Sequence, residues 1–359
     1  MTVVFAGGGT GGHLYPAIAI ADALRERSVS VAFIGTADRL EATIVPNAGY
    51  PLYTIASHPL ARRASLDVFR TLVANAKGTL QSLRLLSAQR PDLIIATGGY
   101  VSFPVALAAR IRRLLGLSRA PMVLLEPNAA PGLTHRLLAP IVDEVWRSSP
   151  IRSSLRRLPS RDEAMTRLGL DASLRTLLAM GGSQGARAIN DALLSLIASE
   201  AVPRGWQVLH LTGKGDYERV AVLRASSPSS SFSMRYAVRS YLDDMVDAYA
   251  AADLVVTRAG ASTLGELSAL GKPAILVPYP FATEAHQATN AARFEAAGAA
   301  VVIADSQLRA GELPGVLAET TRPERLAALS DKARELEGSD PLTAILARID
   351  NLVPRKSKP

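Results

Sequence analysis

Val3-Val4-Phe5-Ala6-Gly7-Gly8-Gly9-Thr10-Gly11-Gly12-His13 stands at the start of the chain, and Leu14-Tyr15-Pro16-Ala17-Ile18-Ala19-Ile20-Ala21-Asp22-Ala23-Leu24 follows at once. The apolar run has the length of a buried parallel strand, and the stretch beyond the glycines has helical periodicity. The order is strand, glycine turn, helix. Such a turn presents backbone N–H groups at a helix N-terminus, where oxyanions are favoured. Glycine alone is weak support, because a tight βα turn needs it for backbone geometry. His13 at the lip of the turn adds a titratable group beside a candidate anion or sugar site.

Outward from this unit the alternation continues. Val29–Thr36 reads as a second strand and 51–55 as a third; a helical pattern runs from Ser65 to Ala88. Further strands are expected at 92–97, leading to Gly98-Gly99-Tyr100, and at 122–126, with a helix from Pro104 to Leu115. Residues 147–171 lack a strong period and mark the domain boundary. The opening theme then returns, with Thr176–Met180, the turn Gly181-Gly182-Ser183-Gln184-Gly185-Ala186 and a helix from Arg187 to Ala198. Strands at 206–213, 238–242, 253–257 and 274–278 follow, with a Ser/Pro-rich loop at 226–231, a glycine turn opening a helix at 260 and a helix at 289–297. Strands alternating with helices throughout give an α/β protein of two doubly wound domains, 1–150 and 151–339.

The 359 residues are long for a single core, which also favours two domains. A 48% hydrophobic content with 20% charged residues is that of a globular chain. With no cysteine there is neither a disulfide framework nor a thiolate metal site. No secretory signal peptide and no transmembrane run is expected. The net charge of +8 points either to arginine-rich coding without function or to an anionic partner. No zinc spacing, aromatic ribonucleoprotein motif or recognition-helix pattern is present, so no nucleic acid partner is expected.

In an open parallel sheet, turns at the carboxyl ends of the strands collect ligands at the topological switch point. The turns here are not common nucleotide fingerprints. There is no Walker motif, and Gly7, Gly9 and Gly12 fit a dinucleotide pattern only without an acid closing the next strand, Asp38 being the nearest. His13 reads as a helix-start residue or as a general base. Glu266, one turn into its helix, is either a favourable N-terminal carboxylate or an acceptor for ribose hydroxyls. Ser183 reads as a cap or a phosphate contact, and Asn128 as an Asx turn or a substrate bridge. His286, Gln287 and Asn290 line the same edge or cap a helix. Basic residues from 62 to 113 interleave with Leu66, Phe69, Leu72 and Leu80: either a core-facing helix with a solvated basic side, or an apolar patch ringed by arginines that docks on anionic lipid.

Seven stretches, taken in order, carry a resemblance: Gly7–Pro16, Thr97-Gly-Gly-Tyr100-Val-Ser, Glu126-Pro-Asn128, Gly181–Ala186, Tyr241–Met245, Arg258–Glu266 and His286-Gln287-Ala-Thr-Asn290. With them the chain resembles the family of bacterial N-acetylglucosaminyltransferases that convert lipid I to lipid II in peptidoglycan synthesis. The resemblance implies a GT-B fold, two Rossmann-like domains with parallel sheets facing an interdomain cleft. It implies an inverting, metal-independent and cofactor-free transfer at the cytoplasmic face of the cell membrane, by a peripheral protein. The donor would be UDP-N-acetylglucosamine, and the acceptor the 4-hydroxyl of the polyprenyl-diphosphate-linked muramoyl pentapeptide.

Matched position by position, the resemblance implies that Thr10, Gly11 and Gly12 contact donor and acceptor diphosphate. His13 would be the base or orienting residue, with Tyr100 and Asn128 near the acceptor. Ser183, with Gln184 beside it, would hold donor phosphate, and Arg152 would be a donor-binding residue. The Leu242 backbone would read uracil, Glu266 would hold the ribose, and Gln287 with His286 would touch ribose or sugar. The basic and apolar stretches around 62–90 and 110–119 would form the contact to an anionic membrane. A C-terminal helix of about 340–356 is expected to pack back on the first domain. The family's strand and helix before an Asn-Pro-Val-Arg motif read as compressed into Trp146–Arg152 with Ser149 in the Asn position, and Pro127 replaces a glutamine. Two alternatives share the motifs: a UDP-sugar transferase with a diacylglycerol acceptor, and a nucleotide-sugar-binding homologue that has lost catalysis.

Overall fold

A computed structural model describes residues 1–59, 66–182, 185–225, 235–242, 244–282, 286–337 and 340–354. The chain divides into two compact units, Met1–Ser153 with Ser339–Pro359, and Ser154–Gly338. Both are α/β, each built on a six-stranded parallel sheet.

In the first unit the chain runs β1 (Thr2–Gly7), α1 (Gly11–Glu26), β2 (Ser30–Gly35), α2 (Glu41–Asn47), β3 (Leu52–Thr54), α3 (Leu66–Gln89), β4 (Leu93–Gly98), α4 (Ser102–Leu114), β5 (Met122–Leu125), α5 (Leu133–Leu138) and β6 (Glu144–Trp146). The sheet order is β3-β2-β1-β4-β5-β6. β1 is central, which explains its unbroken apolar sequence: alternate side chains enter different cores, and both must be apolar. Val3 and Phe5 pack with Leu14, Ile20 and Phe33, together with Leu342, Ile345, Leu346 and Ile349 of the helix Pro341–Leu352. Val4 and Ala6 pack on the other face with Ile94, Val101, Val105 and Leu124.

The helix α5 and strand β6 correct the reading of Trp146–Arg152 as a compressed substitute for them. Both elements are present, and β6 pairs in parallel with β5. They are short, and an edge strand of three residues has no period to read.

In the second unit, α6 (Arg161–Leu168) lies inside the stretch read as aperiodic. Its start is a reciprocal capping box of Ser160 with Glu163, and Gly169 closes it in the left-handed region. β7 (Arg175–Met180), α7 (Arg187–Ala198), β8 (Trp206–Leu211), α8 (Tyr217–Ala225), β9 (Tyr236–Arg239), β10 (Leu254–Thr257), β11 (Ala274–Leu276) and β12 (Val301–Val302) follow, with the helices Val246–Ala251, Ala261–Leu270 and His286–Ala296 after β9, β10 and β11. The strand expected at 238–242 sits two residues earlier, at 236–239, and the loop at 226–231 lies outside the described residues. The order β12-β11-β10-β7-β8-β9 repeats that of the first sheet, because β7 and β10 take the places of β1 and β4. In each sheet the chain reverses its direction of travel at the gap between those two strands, and there the strand ends leave a crevice.

Candidate active site

At the first crevice the turns after β1 and β4 pack directly on one another. Gly9, Gly98 and Gly99 adopt φ of 86°, 100° and 75°, the left-handed region that favours glycine. A side chain at Gly99 would overlap the Gly8 carbonyl, and one at Gly98 would overlap the imidazoles of His13 and His135. Buried Ser102 accepts from the Gly98 N–H at 3.1 Å and lies 2.8 Å from the Ala6 carbonyl oxygen, tying the two turns.

Glu41, the first residue of α2 and fully buried, anchors the opening turn. Its Oε1 accepts from the Thr36 N–H at 3.1 Å and the Thr36 hydroxyl at 2.7 Å, and its Oε2 accepts from the Gly9 N–H at 2.8 Å. Sequence reasoning passed it over in favour of Asp38, whose side chain is 75% exposed, 3.8 Å from Arg39. The available signal was a carboxylate at the start of the helix after β2.

Thr10 precedes α1, and its carbonyl accepts from the His13 and Leu14 N–H groups at 3.2 and 3.3 Å. Gly11 and Gly12 are the first two helical positions, whose N–H groups have no intrahelical acceptor. Pro16 has no N–H, so the Gly12 carbonyl lacks its intrahelical donor as well. His13 lies with its ring 5.9 Å from that of His135. Tyr100 places Cε1 3.4 Å from where a side chain at Gly9 would begin. Asn128 donates through its N–H and its side-chain amide to Glu126 Oε1, at 2.9 and 3.0 Å. Arg152 belongs to this same unit and stacks 4.6 Å above the ring of Tyr15, which itself lies against Gly11. One end of one sheet therefore gathers Thr10, Gly11, Gly12, His13, Tyr100, Asn128 and Arg152.

The second crevice repeats the glycine device. Gly182 and Gly185 have φ of 80° and 75°, and the Gly185 N–H donates to the Gly182 carbonyl at 3.0 Å. Ser183 and Gln184 lie outside the described residues. Behind the turn, Asn190 of α7 donates to the Thr212 carbonyl at 3.0 Å and to Asp216 at 2.7 Å. Its Oδ1 therefore accepts from His210 Nε2 at 2.9 Å, and His210 Nδ1 is left to accept from the Tyr236 hydroxyl at 2.7 Å. The imidazole is thus neutral, and burial pushes it down to about 4, with Asp216 pulling the other way.

Glu266 is 6% exposed, and the buried Tyr249 hydroxyl donates to its Oε2 at 2.7 Å. Gly260 caps its helix, Ala261–Leu270, which leaves β10 at the crevice. Leu242 is half-buried just beyond β9. His286 opens the helix His286–Ala296, and the Gln287 carboxamide oxygen accepts from the Tyr279 N–H at 2.9 Å. Asn290 donates to the Ala259 carbonyl at 3.2 Å, so this helix and the turn after β10 are bound together. Arg258 is buried against Asp305 at 2.8 Å. Burial opposes ionisation of Asp305, yet hydrogen bonds from Arg309 and Arg258 outweigh it and hold the carboxyl below the usual range.

Comparison with known proteins agrees with this geometry over both units. The model of the glycosyltransferase family 28 N-terminal domain matches residues 3–147, and that of the family 28 C-terminal domain matches residues 176–341. The chain belongs to glycosyltransferase family 28. Among its relatives is the UDP-N-acetylglucosamine--N-acetylmuramyl-(pentapeptide) pyrophosphoryl-undecaprenol N-acetylglucosamine transferase of Halothermothrix orenii, 40% identical over 89% of this chain and 90% of that protein. The protein of the same name from Desulforamulus reducens is 36% identical over 99% of this chain and 100% of its own. Among solved structures, MurG of Acinetobacter baumannii is 25% identical with a TM-score of 0.75, covering 98% of this chain and 99% of that one. The two parallel α/β units are thus the GT-B fold of this family, and the chain is a glycosyltransferase.

Outside the crevices, α3 of this family 28 chain is built in reverse over its first turns, whereas its last turns bury Leu86 in the core. Phe69, Leu72, Val73, Ala76 and Leu80 recur at helical spacing along its exposed side, with Phe69 71% and Leu72 62% exposed. Its buried side carries Thr71, Asn75, Thr79 and Ser82. Asn75 accepts from the Ser57 hydroxyl and the His58 N–H and donates to the His58 carbonyl, each at 3.1 Å, and Thr71 donates to the Pro59 carbonyl, while Thr79 and Ser82 donate to carbonyls of the helix itself. α4 lies beside α3; exposed Leu114 is its last residue, and exposed Leu115 and Leu117 follow. Arg70, Lys77, Arg84, Arg113 and Arg119 are exposed on the same two stretches. Residues 62–65 lie outside the described residues. Among the described residues no helix is long and apolar enough to cross a membrane.

Proposed function

We propose that this chain transfers N-acetylglucosamine, with inversion, from UDP-N-acetylglucosamine to the 4-hydroxyl of the polyprenyl-diphosphate-linked muramoyl pentapeptide. The observation that carries the reading is the likeness to transferases of that printed activity over nearly the whole chain. The first unit is read as acceptor-binding and the second as donor-binding.

In this reading His13 takes the proton of the acceptor hydroxyl as its oxygen attacks C1 of the donor sugar. The O4–C1 bond forms, the bond from C1 to the diphosphate breaks, and UDP leaves with the electron pair. General-base assistance of this kind is worth about 10²–10⁴ in rate. Charge developing on diphosphate meets the N–H groups of Gly11 and Gly12 at the start of α1, and Ser183 and Gln184 of the second unit are read as donor phosphate contacts. Arg152 adds a cation beside Gly11. Tyr100 and Asn128 bind acceptor, the Leu242 backbone reads uracil, Glu266 takes the ribose hydroxyls, and His286 with Gln287 touches ribose or sugar.

The substrate is a lipid, and the reversed helix α3 supports attachment to a membrane. A chain free to bury Phe69 and Leu72 instead exposes them beside arginines, while Thr71 and Asn75 are turned inward. Such a face suits the anionic cytoplasmic surface of the cell membrane, with apolar side chains in the interface and cations over headgroups.

The test is UDP release from UDP-N-acetylglucosamine with a lipid I analogue or with diacylglycerol, for the wild type and His13→Ala. Release with the lipid I analogue alone, lost in His13→Ala while UDP binding persists, is expected. Release with diacylglycerol alone would sink the acceptor assignment, and UDP binding without turnover on either lipid would sink the enzymatic one.

A further inference from the structure

Behind Asn128 lies a buried pair that the reaction as described does not use. Glu126 and His135 are 1% and 4% exposed. His135 Nε2 is 3.1 Å from the Leu125 carbonyl oxygen, and Nδ1 is 3.1 Å from Glu126 Oε2. A carbonyl oxygen only accepts, so Nε2 carries a hydrogen. A neutral ring would then turn a bare Nδ1 toward a carboxylate oxygen, acceptor against acceptor, in a site shielded from water. Oε2 is buried with no hydrogen-bond partner among the described residues, and a proton shared with Nδ1 would satisfy both atoms. The other oxygen, Oε1, already accepts both Asn128 hydrogen bonds. That double contact also fixes the Asn128 amide, because its NH₂ end has to face the carboxylate.

The same imidazole faces His13. Their rings stand 5.9 Å apart, and Gly98 fits beside both only because it has no side chain. We propose that Glu126 and His135 are positioning residues: a proton shared by Nδ1 and Oε2 locks the carboxylate, whose second oxygen holds Asn128 toward the acceptor, and the locked imidazole backs His13. This deepens the transferase reading and rests on Asn128 and His13 facing the acceptor.

The pair makes a donor–acceptor pattern that substitution can break or keep. Glu126→Ala removes the oxygen that holds Asn128. Glu126→Gln keeps an acceptor for Asn128 and offers its NH₂ to Nδ1, so the ring is satisfied in the neutral form. The experiment measures acceptor and donor kinetics of UDP release for wild type, Glu126→Ala, Glu126→Gln and Asn128→Ala, and nitrogen-15 NMR of labelled histidine in wild type and Glu126→Gln.

Glu126→Ala is expected to lower acceptor kcat/KM by on the order of 10²-fold, as misplacement of a contact group does, with donor KM unchanged. Asn128→Ala should match it. Glu126→Gln should restore most of the activity. In the wild type a proton resonance should bridge Nδ1 of His135 and the carboxyl, and in Glu126→Gln that nitrogen should become a bare acceptor. Acceptor kinetics untouched by Glu126→Ala would overturn the proposal, as would a Glu126→Gln variant as poor as Glu126→Ala. A His135 ring without a proton shared with Glu126 would overturn it too. If Glu126→Ala does not fold, Asn128→Ala, Glu126→Gln and the NMR arm still decide. A wild type inactive on the lipid I analogue would defeat the transferase reading instead, and the NMR arm would still judge the shared proton.

Discussion

The backbone N–H of Gly9 donates to Oε2 of Glu41 at 2.8 Å, inside the turn from which oxyanion binding was expected. A carboxylate thus lies beneath the glycines and takes one of the amides that an anion would otherwise use. Gly11 and Gly12, at the start of α1 and next to His13, keep amides with no intrahelical acceptor. The glycine turn acts less as a cradle than as a spacer that aims the helix end. Glu41→Gln must turn an amide NH₂ toward the Gly9 N–H or the Thr36 N–H. A buried hydrogen bond to a charged group is worth roughly 1.5–3 kcal/mol. Chemical denaturation is expected to show a loss of about that size, with acceptor KM raised, and an unchanged stability would refute the anchoring role.

Glu266→Gln is expected to weaken UDP binding by roughly tenfold or more, one charge-assisted hydrogen bond being worth about 1.5–3 kcal/mol. Acceptor KM should hold. Isothermal titration with UDP and with its deoxyribose analogue separates the ribose contact from indirect damage. The wild type should discriminate between the two ligands and the variant should not; equal discrimination in both would remove Glu266 from the ribose.

Acid should destabilise the second unit in two separate ranges. The folded His210 imidazole lies at about 4 against an ordinary value of 6.5, because burial disfavours its charged form. The unfolded chain binds the extra proton first, so stability is full above about 6.5 and falls as pH drops toward 4. By this linkage the loss reaches about 2 kcal/mol at pH 5. Asp216, held low by Arg219, and Asp305 give up their stabilisation only below the ordinary carboxylate range. Urea unfolding at pH 7 and pH 5 should reveal the difference, and His210→Gln should flatten it. A wild-type stability equal at both pH values would contradict the buried neutral histidine.

Binding to vesicles containing phosphatidylglycerol is expected to fall on Leu72→Glu or Leu114→Glu. Burying one such leucine is worth about 1.5–3 kcal/mol, roughly a tenfold change or more in partition. Because both side chains are exposed, at 62% and 72%, the melting temperature should hold. Added salt should weaken binding through the arginines. Vesicle binding indifferent to both substitutions would exclude this face as the attachment surface.

Much of the architecture was legible in the sequence. The run Val3–Ala6 is apolar on both faces because β1 is the centre of a parallel sheet, and the glycines after β1, β4 and β7 mark turns with φ of 75° to 100°. Local patterns of this kind report periodicity and backbone need, which neighbours along the chain are enough to set. The partnerships were not legible. Glu41 meets Gly9 only because β2 lies beside β1, and His13 meets His135 only because β1, β4 and β5 are adjacent. Helix α3 shows the same limit in another form: its apolar stripe can be read from the sequence, but whether that stripe faces the core cannot. Asn75 and Thr71 turn inward because the chain at 57–59 supplies their hydrogen bonds, and Phe69 and Leu72 are left facing out. Periodicity gives a helix two faces; which one is buried depends on the segment that packs against it, and only the tertiary structure supplies that segment.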